Sequence, residues 1–260
     1  MSEHPYTIAT KVTGRGHNNY GSVGGAFEGE EWFPSPHHFP NEGEAVPGGV
    51  FEDFVIDLAQ YRSLFIIVNT TAAAKSADQP ANATIRVQFP PVHSYLKNLN
   101  VSLPAGTVNG ASFKQVRFDN LNIRVDHGRI AFEDIRSSNI SLSASVGEIA
   151  GTYSFSQAYE ALSRNGSIDC RLRVLPRSIP NITVGTSVGN ITARVIDTFR
   201  GTFSLFTKFG RTSISGGRHI AFSTNTTTAK SGIFREENSS SNISMHTDKG
   251  GIMLSFRRRL

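Results

Sequence analysis

The stretch Ile140-Ser141-Leu142-Ser143-Ala144-Ser145-Val146-Gly147-Glu148-Ile149 carries the pattern that decides the fold of this 260-residue chain. Apolar residues at 140, 142 and 144 alternate with serines, the period of a strand with one buried face. Gly147 interrupts the alternation, and an apolar residue returns two positions later. Glycine supplies the positive φ that a tight corner requires.

The same form recurs along the chain: a polar or charged residue, any residue, a glycine, any residue, then usually an apolar one. Besides Ser145 to Ile149 it appears at Asp126-His127-Gly128-Arg129-Ile130, Arg164-Asn165-Gly166-Ser167-Ile168, Ser187-Val188-Gly189-Asn190-Ile191 and Lys208-Phe209-Gly210-Arg211-Thr212. Lys230-Ser231-Gly232-Ile233-Phe234 and Asp248-Lys249-Gly250-Gly251-Ile252 complete the set. The glycines follow one another at 19, 19, 23, 21, 22 and 18 residues, and only Thr212 breaks the apolar rule at the second place after glycine. A glycine returning at near-constant spacing marks a stacked architecture, in which each repeat buries its apolar face against its neighbours. Ile182-Thr183-Val184 and Ile191-Thr192-Ala193-Arg194-Val195 supply alternating strands between the corners. The expected fold is therefore all-β, a single-chain, β-helix-like β-solenoid with rungs of about 20 residues. A sandwich or barrel whose hairpin turns contain glycine is the alternative.

Three regions are expected. Residues 1–50 read as a disordered or loosely ordered acidic tail, interrupted by Pro34, Pro36, Pro40 and Pro47. Residues 51–118 read as N-terminal strands. Ser63 to Val68 and Ala83 to Phe89 are expected to pair as a hairpin that caps the stack. Residues 119–260 hold the repeats, and the tail Phe256 to Leu260 is expected to cap the far end. Gln157 to Leu162 has the composition of one helical turn.

Apolar residues make up 38% of the chain and charged ones 18%, with 24 glycines, which suits short strands and turns. The strongest apolar run, Leu64 to Val68, is strand-sized and far below the ~18 residues of a membrane span. Met1 to Thr10 has no apolar core, so no signal peptide is expected. The net charge of +5 divides unevenly: −7 over residues 1–60, +5 over 61–199 and +7 over 200–260. A basic half suits an anionic partner. The scattered Lys and Arg nevertheless lack the aromatic platform of single-strand nucleic-acid binders, so nucleic acid is not expected. Cys170 is the lone cysteine and falls on the apolar side of Ile168-Asp169-Cys170-Arg171-Leu172, where a buried inert thiol is expected. His37-His38 point to opposite sides of an extended chain, so neither a metal nor a cofactor is expected.

The polar-x-Gly-x-Ile units followed by alternating strands, as in Ser145 to Ile149 and Ser187 to Ile191, resemble the domain family named "putative adhesin". Bacterial proteins and uncharacterised fungal proteins carry it. The resemblance covers roughly residues 120–256. It implies a right-handed β-solenoid-like fold, a surface or interaction role, and no established catalytic residues. Many fungal members carry a transmembrane segment ahead of the domain, a pattern from which this chain departs.

Ten Asn-x-Ser/Thr sequons stand at Asn69, Asn82, Asn100, Asn139, Asn165, Asn181, Asn190, Asn225, Asn238 and Asn242. They mark a glycoprotein outside the cell or on its surface. An outward strand face of small polar residues also generates sequons, since Asn139 and Ser141 flank inward Ile140. Without disulfides, a cytoplasmic location stays the alternative. The expected function is a non-catalytic adhesin-like module for a glycan or a protein partner. The rival is a parallel β-helix polysaccharide lyase or hydrolase, which needs carboxylates gathered on one face. Asp126, His127, Glu133 and Asp134 are the candidates for that chemistry.

Overall fold

The computed structural model describes residues 6–14, 22–24, 54–57, 63–69, 81–89, 94–110, 116–196, 199–216, 219–235 and 239–257, with side chains from Tyr95 onward. These residues form strands and, among them, no helix. In chain order the strands are β1 (Tyr6–Gly14), β2 (Ser22–Gly24), β3 (Phe54–Asp57), β4 (Ser63–Asn69), β5 (Ala81–Phe89), β6 (Ser94–Gly110), β7 (Val116–Asn165) and β8 (Ile168–Val174). There follow β9 (Asn181–Val188), β10 (Ile191–Ile196), β11 (Gly201–Phe209), β12 (Thr212–Ser215), β13 (Ile220–Asn225), β14 (Ala229–Phe234), β15 (Asn242–Lys249) and β16 (Ile252–Arg257).

All belong to one sheet, whose main path runs β12-β16-β10-β8-β7-β9-β15-β11-β14-β13. At 50 residues β7 is far longer than a straight strand, and it bends where Gly128, Gly147 and Gly151 take φ of +145°, +149° and +143°. Neighbours along most of the path are parallel and in register. Ile149 lies beside Ile168, Ile168 beside Ile191, and Ile191 beside Ile252, while off this path Ser94 to Gly110 of β6 lies parallel beside Val116 to Phe132. The other limb aligns Tyr159 with Ile182, Ile182 with Ile243 and Ile243 with Phe203.

Like residues thus stand above like, and the core is built of columns. Ile130, Ile149, Ile168, Ile191 and Ile252 are each at most 1% exposed. Their strands bury every second residue, as β8 and β10 do, so one face of this parallel sheet meets the core and the other meets solvent. A second centre of packing lies at Tyr159, whose ring centroid is 5.2 Å from that of Tyr153 and 5.5 Å from that of Phe155.

Several expectations are corrected. Gln157 to Leu162 is extended within β7, because Tyr159 and Ala161 alternate inward against Ile182 and Val184 of β9. β4 and β5 do not form a hairpin with each other. β4 lies parallel on β6, registering positions 64 and 66 with Leu99 and Val101, whereas β5 pairs with β1 and β3. Of the tail Phe256 to Leu260 expected to cap the far end, Phe256 and Arg257 belong instead to β16, which sits between β10 and β12, and the rest lies outside the described residues; β15 sits between β9 and β11. The far end is closed instead by β14 and β13, which run antiparallel beyond β11. In the N-terminal stretch read as loose, β1 pairs antiparallel with β5 and β6, and β2 with β4. The remainder of that stretch, His37 and His38 included, lies outside the described residues.

Candidate functional site

Six of the seven corner glycines form one column. A Cβ on Gly147 would stand 1.5 Å from the carbonyl oxygen of Gly128, one on Gly166 1.8 Å from that of Gly147, and one on Gly189 2.1 Å from that of Gly166. The column continues from Gly189 to Gly250 and then to Gly210, while Gly106, which has no place in the sequence pattern, begins it below Gly128. Gly232 is elsewhere, in the antiparallel β14, packed against Ala221 and the Phe203 ring.

The corners also carry a device absent from the sequence reading. Three residues before a corner glycine stand Ser163, Thr186, Thr207 and Thr247, each at most 5% exposed. Ser163 Oγ donates to the Gly147 carbonyl at 3.1 Å, Thr186 Oγ1 to Gly166 at 3.0 Å, Thr247 Oγ1 to Gly189 at 3.2 Å and Thr207 Oγ1 to Gly250 at 2.9 Å. Each buried hydroxyl satisfies a carbonyl of the neighbouring corner, a bond worth roughly 1 kcal/mol net and more if left unmade. The recurrence of Ser or Thr at that one position is the signal that finds it.

With the inner face closed, chemistry is left to the outer one. There the register aligns Leu162 with Gly185, Gly185 with His246 and His246 with Phe206. Gly185 has no need of unusual backbone; a Cβ there would meet Leu162 Cδ2 at 3.1 Å. Its missing side chain leaves a trough of about 370 Å³ lined by Ser143, Ser145, Leu162, Arg164, Ser187 and His246, with buried neighbours beneath. One wall is aliphatic, with Leu162 40% exposed. The other is the His246 ring, lying 8° from parallel to Phe206 at 5.6 Å and 3.6 Å from the Asp248 carboxylate. Among the described residues the lining offers hydroxyls, a guanidinium and an imidazole beside apolar surface, and no carboxylate.

Two of the carboxylates suggested for catalysis, Asp126 and Asp134, are engaged in ion pairs with arginines. Asp126 accepts from Arg124 Nε at 3.2 Å and Ser145 Oγ at 3.4 Å. Asp134, with φ of +54°, binds Arg173 at 2.6 Å, reaching past Ser154 to do so. His127 and Glu133 are exposed. Among the described residues no three His, Cys, Asp or Glu side chains gather as a metal set. Cys170 is buried, which pushes its thiol up to about 12.

The sequons divide by environment. Asn139 donates to Asn120, 3.0 Å away, which in turn donates to Asn98 at 2.9 Å, an amide ladder along three neighbouring stretches. Asn190 accepts from the Gly251 N–H at 2.8 Å, Asn242 from Thr202 Oγ1 at 3.1 Å and Asn225 from Lys230 Nζ. Asn165 and Asn181 are exposed and Asn100 is half-buried. Asn69 and Asn82 lie in β4 and β5, their side chains outside the described residues, as is Asn238 altogether.

No family model matches the sequence, and no curated protein matches it. Among solved structures, a protein from Clostridium sporogenes named "putative cell adhesion protein" is similar over 75% of this chain and 70% of its own, with 9% identity and a TM-score of 0.34. No helix among the described residues is long and apolar enough to cross a membrane.

Proposed function

We propose that this chain is a β-solenoid interaction module of the adhesin type, without catalytic activity, which holds a glycan or a protein partner on the outer face around Gly185. The trough carries the proposal: a glycine floor, one aliphatic wall, a stacked imidazole–phenyl wall, and Ser hydroxyls with Arg164 at hydrogen-bonding positions. A pyranose presents the matching surface, an apolar C–H face ringed by hydroxyls. Parallel registry at about 20-residue steps and the continuous glycine column support rungs of a solenoid. Exposed Asn165 and Asn181 support display outside the cell, where those sequons would carry glycans.

Calorimetric titration with neutral oligosaccharides tests this reading. Binding is expected, with His246→Ala and Leu162→Ala each weakening it about tenfold, or roughly 1.4 kcal/mol. Unsaturated or reducing ends released from acidic polysaccharides during the same incubation would establish the lyase or hydrolase in its place. Endoglycosidase treatment of the protein from its host should lower the mass; an unchanged mass argues against the cell surface.

A further inference from the structure

Two rows of outward side chains cross the trough around Gly185. Four positions before the corner glycines stand Ser143, Leu162, Gly185 and His246, and two positions before them stand Ser145, Arg164, Ser187 and Asp248. The described residues of the lining all belong to β7, β9 or β15, so the site is carried by paired strands. Within its row Arg164 has Ser145 on one side and Ser187, by the register of β7 with β9, on the other. Along its own strand the next residue on the same face is Leu162, about 6.6 Å away.

The carboxylates around Arg164 are engaged by other groups. Asp126, beyond Ser145, accepts from Arg124 and from Ser145, and Asp248, beyond Ser187, stands 3.6 Å from His246. Each of these two is two strand spacings from Arg164, about 9.6 Å between backbones. Glu148 pairs with Arg129 at 3.2 Å, and Glu160 accepts from Ser141 at 3.3 Å. Among the described residues the Arg164 side chain, which is exposed, makes no ion pair or hydrogen bond, and the half-buried Ser187 hydroxyl makes none. An open arginine on a surface is ordinary. This one borders a slot with an aliphatic and an aromatic wall, and an unengaged hydroxyl stands beside it.

On the reading of the trough as a glycan site, we propose that it selects an acidic sugar, a hexuronate or a sialic acid. The ring sits over Gly185 between Leu162 and His246, and its carboxylate lies along the strand direction on the Arg164 fork, with Ser187 Oγ as a further donor. A carboxylate has two coplanar oxygens and one charge, which a single planar guanidinium matches with two parallel hydrogen bonds. A sulfate or phosphate ester presents more oxygens than one fork engages, and the described lining holds one guanidinium. The apolar walls serve the C–H faces of the ring, which neutral and acidic sugars share.

Calorimetry on the full chain with two matched pairs of sugars tests it. One pair is cellotetraose and its uronate counterpart, in which carboxylates replace the hydroxymethyl groups; the other is lactose and sialyllactose. The acidic member of at least one pair should bind about tenfold more tightly than its neutral partner, and the preference should shrink as NaCl is raised. The pair that shows it tells hexuronate from sialic acid. Arg164→Gln should abolish the preference while neutral binding and the melting temperature stay unchanged, because this side chain supports nothing in the fold. Arg164→Lys, which keeps the charge and loses the fork, should restore only part of it. Equal affinities within both pairs would overturn the proposal and leave neutral glycan binding standing. So would tighter binding of the neutral members, the result expected if Asp126 and Asp248 outweigh Arg164. A preference that survives in Arg164→Gln would overturn it as well, by placing the carboxylate elsewhere on the face. Binding of none of the four sugars would remove the glycan site itself.

Discussion

Cys170 shows how far one buried side chain can be read from its environment. It registers between Gly151 on one side and Ala193 on the other, two residues small enough to leave room for its sulfur, and it is 0% exposed. Burial is the chief reason its thiol is pushed up to about 12. The Tyr159 hydroxyl, buried nearby, is likewise raised, again chiefly by burial. The consequence for stability has a definite sign. An unfolded thiol titrates near 8.5, so below that pH both states are protonated and the contribution is complete. Between about 8.5 and 12 the unfolded chain has lost the proton and the folded chain keeps it, so stability falls by up to ~1.4 kcal/mol per pH unit. Urea unfolding midpoints at pH 8 and pH 10.5 should therefore drop less in Cys170→Ala than in the parent, each compared with its own value at pH 7. Equal drops would place the alkaline loss elsewhere, with the raised Tyr153 and Tyr159 as the next groups to replace.

At the scale of the element, the corner decides. Gly147 carries two demands at once, φ of +149° and a facing carbonyl oxygen 1.5 Å from where a Cβ would stand, and the obstruction is backbone that cannot swing aside. Gly147→Ala should cost more than about 3 kcal/mol. Gly185→Ala meets only the end of the Leu162 side chain at 3.1 Å in ordinary backbone, so a loss below about 1 kcal/mol is expected. Thr247→Val, which leaves the Gly189 carbonyl without its hydroxyl, should fall between them at about 1–3 kcal/mol. Chemical denaturation of the three variants gives the order, and a Gly147→Ala no worse than Gly185→Ala would remove the corner argument. This is also where the sequence was most legible. Corners are visible because each needs glycine regardless of which strand lies next to it. Gly232 shares the pattern while serving an antiparallel hairpin, because a glycine beside Phe203 is chosen for space and leaves the same trace. The hydroxyls before the corners went unseen, since Ser and Thr fill the outer face as well. The trough was invisible for a different reason: Leu162, Gly185, His246 and Phe206 meet only through register across four strands.

At the scale of the whole molecule, the order of strands departs from the order of the chain. β11 and β12 are made before β15 and β16, yet the later pair occupies the position next to β9 and β10. Periodic spacing gives no hint of this, because Gly210 and Gly250 satisfy the same pattern and either can sit on Gly189. The inserted pair buries Ile243, Met245, Ile252, Leu254 and Phe256, all at most 2% exposed. At about 1.5–3 kcal/mol per fully buried side chain, these residues contribute an amount comparable with the whole 5–15 kcal/mol stability of a typical domain. Phe256 further stacks on Phe234 at 3.9 Å and lies 6.1 Å from Phe199, tying the insert to the closing strand and to the approach to β11. A chain ending at residue 238 should therefore lose hydrogen-exchange protection in β11 to β14 while β6 to β9 keep theirs, because without β15 the strand β11 stands two strand spacings, roughly 9.6 Å, from β9. A peptide of residues 239–257 supplied in trans should restore protection to β11 to β14, since its backbone pairing with β9, β10, β11 and β12 needs no covalent link. The competing outcome is that β11 slides onto β9, bringing Gly210 onto Gly189 and Thr207 to the carbonyl that Thr247 now satisfies. Protection of β11 without the peptide, unchanged on its addition, would show that slide. It would then follow that the repeated corner fixes register but not order, and that the side chains buried by β15 and β16 select the inserted arrangement.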